Sequence, residues 1–284
     1  MKGVRFEKWQ ALGNDYVIVE EGNLDFELNP GRIELLCDQH FGIGSDGILL
    51  LAKSADPEVV ADLRIFNPDG SEAELSGNGA REAILYLLGN GWTDEATFTV
   101  MTASGPVVPT IRPDGTCAVE MGRASTESPD FPSGSPDGVG TVSAGGRDWE
   151  FRHVSIGNPQ CAIEVGSELE DLDLGEIGPD IENSGLFPNR TNVSFYRTSG
   201  SRVRARIFER GVGETLSSGT GASGAAVAAH LGGAPSDLTV ELDGGELTVE
   251  IGPDLGVTLT GWAKPVFRGE LSSETVEALL SIKE

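Results

Sequence analysis

The sequence predicts an α/β (α+β) chain built as two similar halves, and three observations carry that prediction. The first is a duplicated unit of strand, glycine-punctuated loop and helix. Residues 64–80 lie over 206–222 at an offset of 142 residues, and the pairs Arg64/Arg206, Ile65/Ile207, Phe66/Phe208, Glu72/Glu214, Ser76/Ser218, Gly77/Gly219, Gly79/Gly221 and Ala80/Ala222 are identical. Chance would match about one residue over such a stretch, so this is a repeated supersecondary unit. A nearby offset also lays Gly13-Asn14 over Gly157-Asn158. The second observation is a Ser-, Pro-, Gly- and Asp-rich stretch at 123–147 that divides the two copies. The third is the alternation of short apolar strands with helices on both sides of it. The expected division is 1–122 as the N-terminal half, 123–147 as a linker or exposed loop, and 148–267 as the C-terminal half. Residues 268–284 are expected to pack back on the first half.

Taken in order, 4–9 alternates as a strand, turns at Gly13-Asn14-Asp15 and returns as a strand over 16–20. Helical spacing over 33–37 ends before the glycine-rich turn 41–47. Strands follow at 48–52 and 62–66, and Asn67-Pro68-Asp69-Gly70 has strong turn chemistry. A helix over 79–88 is closed by Gly89-Asn90-Gly91. Strands are expected at 97–101, 107–111 and 117–121, then beyond the linker at 150–155 and 161–165. The acidic stretch 169–181 reads as a helix interrupted by glycine. Strands at 191–196 and 202–208 lead to a helix of small residues that opens at Gly219 and ends near His230. Hairpin strands over 238–249, with Asp243-Gly244-Gly245 as the turn, and 257–262 precede a last helix at 273–283.

The formal net charge of -25 argues against nucleic acid or an anionic membrane as partner. Lysine occurs only at positions 2, 8, 53, 264 and 283, and the acids are spread along the chain, which points to salt adaptation rather than an acidic tail. Cys37, Cys117 and Cys161 form neither a disulfide framework nor a metal pattern and are expected to be small buried residues. With no leader-like N-terminus and no apolar run of membrane length, the expected location is the cytoplasm.

The two repeats each open a helix at Gly-x-Gly. Free backbone N–H groups and the helix dipole make such an opening a place for an anion such as a carboxylate. Each also sets a serine, Ser76 or Ser218, at the lip. Two such units facing one cleft would hold a substrate carboxylate with a side chain on each face of its α-carbon, which suits inversion of a stereocentre. The plainer reading of the same small residues is close packing of the halves.

At these residues the chain resembles the diaminopimelate epimerase family along nearly its whole length. Gly13-Asn14-Asp15, Gly42-Ile43-Gly44-Ser45-Asp46, Asn67-Pro68-Asp69-Gly70-Ser71-Glu72, Gly77-Asn78-Gly79-Ala80-Arg81, Gly157-Asn158-Pro159, Phe187-Pro188 with Asn192-Val193, and 209–215 follow the family's order and spacing. The resemblance implies two pseudo-symmetric halves, each a mixed sheet or barrel wrapped around a central helix. It implies conversion of the LL to the meso form of diaminopimelate, in lysine biosynthesis, without cofactor or metal, and it leaves a homodimer open. One cysteine from each half would take or give the α-proton. Asn14, Asn67, Asn158, Asn192, Glu209 and Arg210 would hold the far amino-acid end of the substrate, and Gly77-Asn78 with Gly219-Thr220 the carboxylate at the reacting centre.

Both cysteine positions of that pattern are serine here, Ser76 and Ser218. The histidine after Asn-Pro is Gln160, and the glutamine after the early Ser-Asp is Gly47. A thiol near a helix N-terminus ionises readily, whereas a serine hydroxyl needs an adjacent base. Glu209 is the best remaining carboxylate for that task. His40, His153 and His230 read as surface or satisfied residues, and Glu72 and Glu214 as acceptors bracing their loops. Deliberate replacement of the cysteines, drift in a cysteine-poor salt-adapted lineage, and a repurposed relative all remain open at this point. The expected activity is a slow two-base epimerase. The alternative is a weakly active or inactive amino-acid-binding protein on the same fold.

Overall fold

The computed structural model describes residues 3–73 and 76–283, so Glu74 and Leu75 of the first repeat lie outside the described residues. The chain divides into two compact units. One comprises the residues up to Val119 with those from Trp262 onward, and the other spans Glu120–Gly261.

In the first unit, β1 (Arg5–Ala11) and β2 (Asn14–Glu20) form a hairpin. Its two-residue loop, Leu12 and Gly13, has positive φ at both positions (55° and 85°), the twist that a tight hairpin demands. α1 (Pro30–Cys37) starts on Asn29, whose side chain accepts from the Arg32 N–H, with proline at the helix start. Then come β3 (Ile48–Ala52), β4 (Ala61–Phe66), β5 (Glu72–Ala73), α2 (Gly77–Gly89), β6 (Val100–Thr102) and β7 (Gly105–Val107). A hairpin of β8 (Thr110–Ile111) and β9 (Cys117–Arg123) carries the chain out of this unit.

The second unit continues with β10 (Val139–Ala144), β11 (Arg147–Ser155), β12 (Pro159–Glu164), α3 (Leu174–Glu182), β13 (Asn192–Ser199), β14 (Arg202–Glu209) and β15 (Gly213–Thr215). α4 (Gly219–Leu231), β16 (Asp237–Leu242), β17 (Gly245–Ile251) and β18 (Gly256–Gly261) follow. The chain then returns to the first unit with β19 (Lys264–Glu270) and α5 (Ser273–Ser281).

The first sheet has the order β19-β1-β2-β3-β4-β6-β7, with β5 on β4; the second runs β10-β11-β12-β13-β14-β16-β17-β18-β9, with β15 on β14. β2 and β3 are parallel, as are β4 and β6, and the second sheet repeats this at β12/β13 and β14/β16. The repeat seen in sequence is therefore a repeat of topology. Each sheet wraps a helix. α4 is buried nearly all round, as its Gly and Ala composition requires. A Cβ on Gly221 would stand 2.7 Å from Ile207 Cγ2, and one on Gly224 2.7 Å from Gln160 Cγ, so the sheet lies too close for larger residues. α2 buries Ala80, Ala83, Ile84 and Leu87 but also Arg81 and Glu82. Apolar packing continues beneath α1 and α5 in the first unit and beneath α3 in the second. All three cysteines are buried and free, and burial pushes the Cys117 thiol up to about 12.

The stretch 123–147 is not the linker or exposed loop expected of it. Of 123–147, Arg123 closes β9, Val139–Ala144 is β10, and Phe131, Val142 and Ala144 pack into the core of the second unit. The stretch is polar on average, but these few apolar residues suffice to fix it. The return to the first unit comes at Trp262 rather than after 267, because β19 pairs with β1 from Arg5 to Gln10. The acidic helix is shorter than expected: Leu169 falls in a 3-10 turn, and Asp173 caps α3 by accepting from the Glu176 N–H. No helix among the described residues is long and apolar enough to cross a membrane.

Candidate active site

In the first unit, β4 runs into a short hairpin with β5, and the chain then enters α2 at Ser76. Ser76 is the N-cap: its Oγ accepts from the Gly79 N–H at 3.1 Å. The same oxygen accepts a 3.1 Å hydrogen bond from the Tyr16 hydroxyl, on β2. Gly77 and Asn78 form the first turn. Asn78 Nδ2 donates to Asn14 Oδ1 (3.3 Å), and Asn14 Nδ2 donates to Asp46 Oδ2 (2.9 Å). Behind them Arg81, 1 % exposed, donates to Asn78 Oδ1 and to the Trp262 carbonyl. Tyr16, Asn14, Ser76, Asn78 and Arg81 thus belong to one hydrogen-bonded neighbourhood at the start of α2. Asn67 does not join it; its side chain turns to the Ser71 hydroxyl at 2.9 Å within its own turn.

The second unit builds the corresponding place at the start of α4. Ser218 is the N-cap, accepting from the Gly221 N–H at 3.2 Å, and is 4 % exposed. Its hydroxyl donates to Glu209 Oε2 at 3.0 Å, while Thr215 donates to Glu209 Oε1 at 2.9 Å. Burial raises the Glu209 carboxyl above its ordinary range, and the hydrogen bonds from Thr215 and Ser218 pull back against that. A buried carboxylate holding a serine proton is the arrangement that makes a hydroxyl useful as a base.

Asn158 Nδ2 donates to Thr220 Oγ1 (3.2 Å), and Gln160 Nε2 donates to Asn158 Oδ1 (2.7 Å), tying β12 to the helix start beside Gly219. Gln160 stands opposite Asn192 across the β12/β13 pair. Asn192 Oδ1 accepts from the Arg210 N–H at 2.8 Å, and its Nδ2 donates to the Pro159 carbonyl. Arg210 itself donates to the Asn189 carbonyl. All eight expected residues of this unit are joined or adjacent.

Two residues here had been missed. Glu182, on α3, accepts from the Gly211 N–H (2.8 Å) and from Arg190, and so fixes the loop after Glu209. Its contact is far in sequence, and no local motif marks it. Tyr16 lies two residues after Asn14, where the nearby repeat offset sets it against Gln160; that correspondence was the available signal.

Among the described residues Glu72 and Glu214 accept from no loop backbone N–H, the partner expected for them. Each pairs instead with the arginine of its own repeat, Glu72 with Arg64 at 2.8 Å and Glu214 with Arg206 at 2.7 Å. The hairpin register explains it: Phe66 faces Glu72 and Phe208 faces Glu214, which leaves the arginine two residues back on the same face. His153 is fully buried between Phe131 and Phe187, with Nε2 2.8 Å from the Ser128 hydroxyl. Among the described residues no group of three His, Cys, Asp or Glu side chains could hold a metal ion.

Solved structures on the same fold include a phenazine biosynthesis protein of the PhzF family from Bacillus anthracis (19% identity, TM-score 0.66, 96% of this chain and 100% of that one). A hydroxyproline epimerase from Agrobacterium vitis is similar too (16% identity, TM-score 0.65, 95% and 91%). They share the architecture in which each sheet wraps a helix. Sequence relationship narrows it. The family model described as diaminopimelate epimerase matches residues 6–127 and 152–265. "Diaminopimelate epimerase 2" of Nostoc sp. is 40% identical over 98% of this chain and 100% of its own length. The diaminopimelate epimerase of Azoarcus sp. is 38% identical over 94% and 98%. The chain belongs to the diaminopimelate epimerase family.

Proposed function

We propose that the chain is a cofactor-independent epimerase of the diaminopimelate type, converting LL- to meso-2,6-diaminopimelate in lysine biosynthesis. The observation that carries the reading is the Ser218–Glu209 hydrogen bond at the opening of α4, matched by Ser76 at the opening of α2. Ser76 and Ser218 supply the two proton-transfer hydroxyls in place of the family's thiols. Glu209 draws the Ser218 proton as Ser218 Oγ takes the α-proton, which answers the reluctance of an alcohol to ionise. Gly77-Asn78 and Gly219-Thr220 offer helix-start N–H groups to the substrate carboxylate and to the charge that develops on it. Asn14, Asn158, Asn192 and Arg210 hold the far amino-acid end, while Asn67 braces its own turn. Gln160 holds Asn158 and carries no proton.

Because an alcohol is a weaker acid than a thiol, turnover is slow beside thiol enzymes of this type. The acidic composition fits a salt-rich cytoplasm, where the surface charge is screened. The test is incubation with LL-diaminopimelate and chromatographic separation of the isomers. Appearance of the meso isomer supports the reading; tight binding with no meso isomer contradicts it.

A further inference from the structure

The two helix starts differ in the direction of their hydrogen bonds. In the second unit Ser218 donates to Glu209, so its partner is built to remove a proton. In the first, Ser76 receives from Tyr16, so its partner is built to supply one. We propose that Tyr16 is the positioning residue of Ser76 and the reservoir of its proton, making the first half-site the acid of the pair. This rests on the epimerase reading above.

The arrangement is a built one. Tyr16 is 6 % exposed. Its ring occupies space that Gly47 leaves open: a Cβ at Gly47 would stand 2.7 Å from Tyr16 Cε1 and 2.3 Å from the Phe66 carbonyl oxygen. The side chain missing at Gly47 and the ring of Tyr16 therefore belong together. The Val17 N–H donates to the Gly47 carbonyl at 3.0 Å, which locks the two segments side by side. By the nearby repeat offset, Tyr16 corresponds to Gln160. Gln160 turns its amide to Asn158, whereas Tyr16 turns its hydroxyl to the serine.

The α-proton leaves the substrate to Ser218 Oγ while the Ser218 proton passes to Glu209, and the carbanion's electron pair remains on the α-carbon, delocalised into its carboxylate. The Ser76 O–H bond then breaks as a new Cα–H bond forms. The Tyr16 O–H proton moves to Ser76 Oγ, and the electron pair of that bond stays on the phenol oxygen until solvent returns a proton, while Glu209 releases to solvent the proton it took. A phenol, with an ordinary pKa near 10, is a far better acid than an alcohol, so it makes Ser76 a competent donor. The Gly79 N–H and the positive end of α2 stabilise negative charge that builds on Ser76 Oγ during the transfer.

The experiment measures epimerisation of LL-diaminopimelate by wild-type protein, Tyr16→Phe, and protein carrying 3-fluorotyrosine at position 16. Phenylalanine keeps the ring and removes only the hydroxyl, and its thermal midpoint reports whether the fold is retained. The inference expects kcat to fall by about tenfold to a hundredfold in Y16F, with KM within about twofold. It also expects the alkaline limb of kcat to move to lower pH with fluorotyrosine, following the more acidic phenol. A merely structural tyrosine would not move that limb. A fluorotyrosine profile that overlays wild type overturns the inference, as does Y16F with wild-type kcat. A wild-type protein with no epimerisation at all overturns the underlying reading, and the inference with it.

Discussion

Replacing Glu209 with glutamine removes the carboxylate that accepts from Ser218 and leaves the side chain's size unchanged. Glu209 is held by two hydroxyl donors, Ser218 at 3.0 Å and Thr215 at 2.9 Å. A glutamine can keep one of these contacts through its oxygen, but it cannot take the serine proton. A positioned general base contributes about 10²–10⁴ in rate, or roughly 3–5 kcal/mol of barrier at about 1.4 kcal/mol per decade. The expected effect of E209Q is a kcat loss in that range, with substrate affinity little changed. pH gives a second reading. Burial raises the Glu209 carboxyl, so its ionised form is reached only above the ordinary carboxylate range. The acid limb of kcat in wild type should therefore lie above 4.5, the ordinary glutamate value, and it should vanish from whatever activity E209Q retains. The assay is α-proton exchange in heavy water across the pH range. E209Q exchanging at the wild-type rate would refute the base assignment.

The remaining predictions concern stability. Gly224→Ala places a Cβ 2.7 Å from Gln160 Cγ, inside the wrapped helix; overpacking of about 1–3 kcal/mol should outweigh the helix-propensity gain and lower the thermal midpoint. His153 is buried, and burial lowers its pKa below 6.5. The unfolded chain therefore binds the proton more readily, so stability should be full above about pH 6.5 and fall as the pH drops from there towards the folded value. His153→Phe should flatten that part of a denaturation-versus-pH series. For the two repeat arginines, double-mutant cycles should find Arg206–Glu214 (14 % and 32 % exposed) more strongly coupled than Arg64–Glu72 (52 % and 36 %). The exposed pair should fall within about 0–1 kcal/mol and weaken with salt; equal coupling would contradict the comparison.

Much of the architecture was legible because the repeat kept its glycines. Gly77, Gly79, Gly219 and Gly221 mark the helix starts, where a Cβ on Gly79 would stand 3.1 Å from Leu49 Cδ2 and one on Gly221 2.7 Å from Ile207 Cγ2, and the strands feeding them alternate buried and more exposed residues. Less was legible where structure rests on few residues. β5 and β15 are too short to show a period of two, and their register turned Glu72 and Glu214 to arginine partners rather than to backbone. The polar average over 123–147 concealed Phe131 and Val142, which are enough to anchor the segment. In the site, Ser76, Ser218 and Glu209 were visible as residue types at meaningful positions. The direction of their hydrogen bonds was not, since that depends on Tyr16 reaching across from β2 and on Glu182 holding the loop from α3. Such contacts are set by packing between distant segments.

The most direct test follows solvent deuterium into the α-position of LL-diaminopimelate with wild type, Ser218→Ala, Ser76→Ala and the double replacement Ser76→Cys/Ser218→Cys. The account predicts slow exchange with inversion in wild type, its loss in either alanine variant, and a faster reaction when both thiols are restored. Measurable substrate binding with no exchange in wild type, or exchange that survives both alanine replacements, would contradict it.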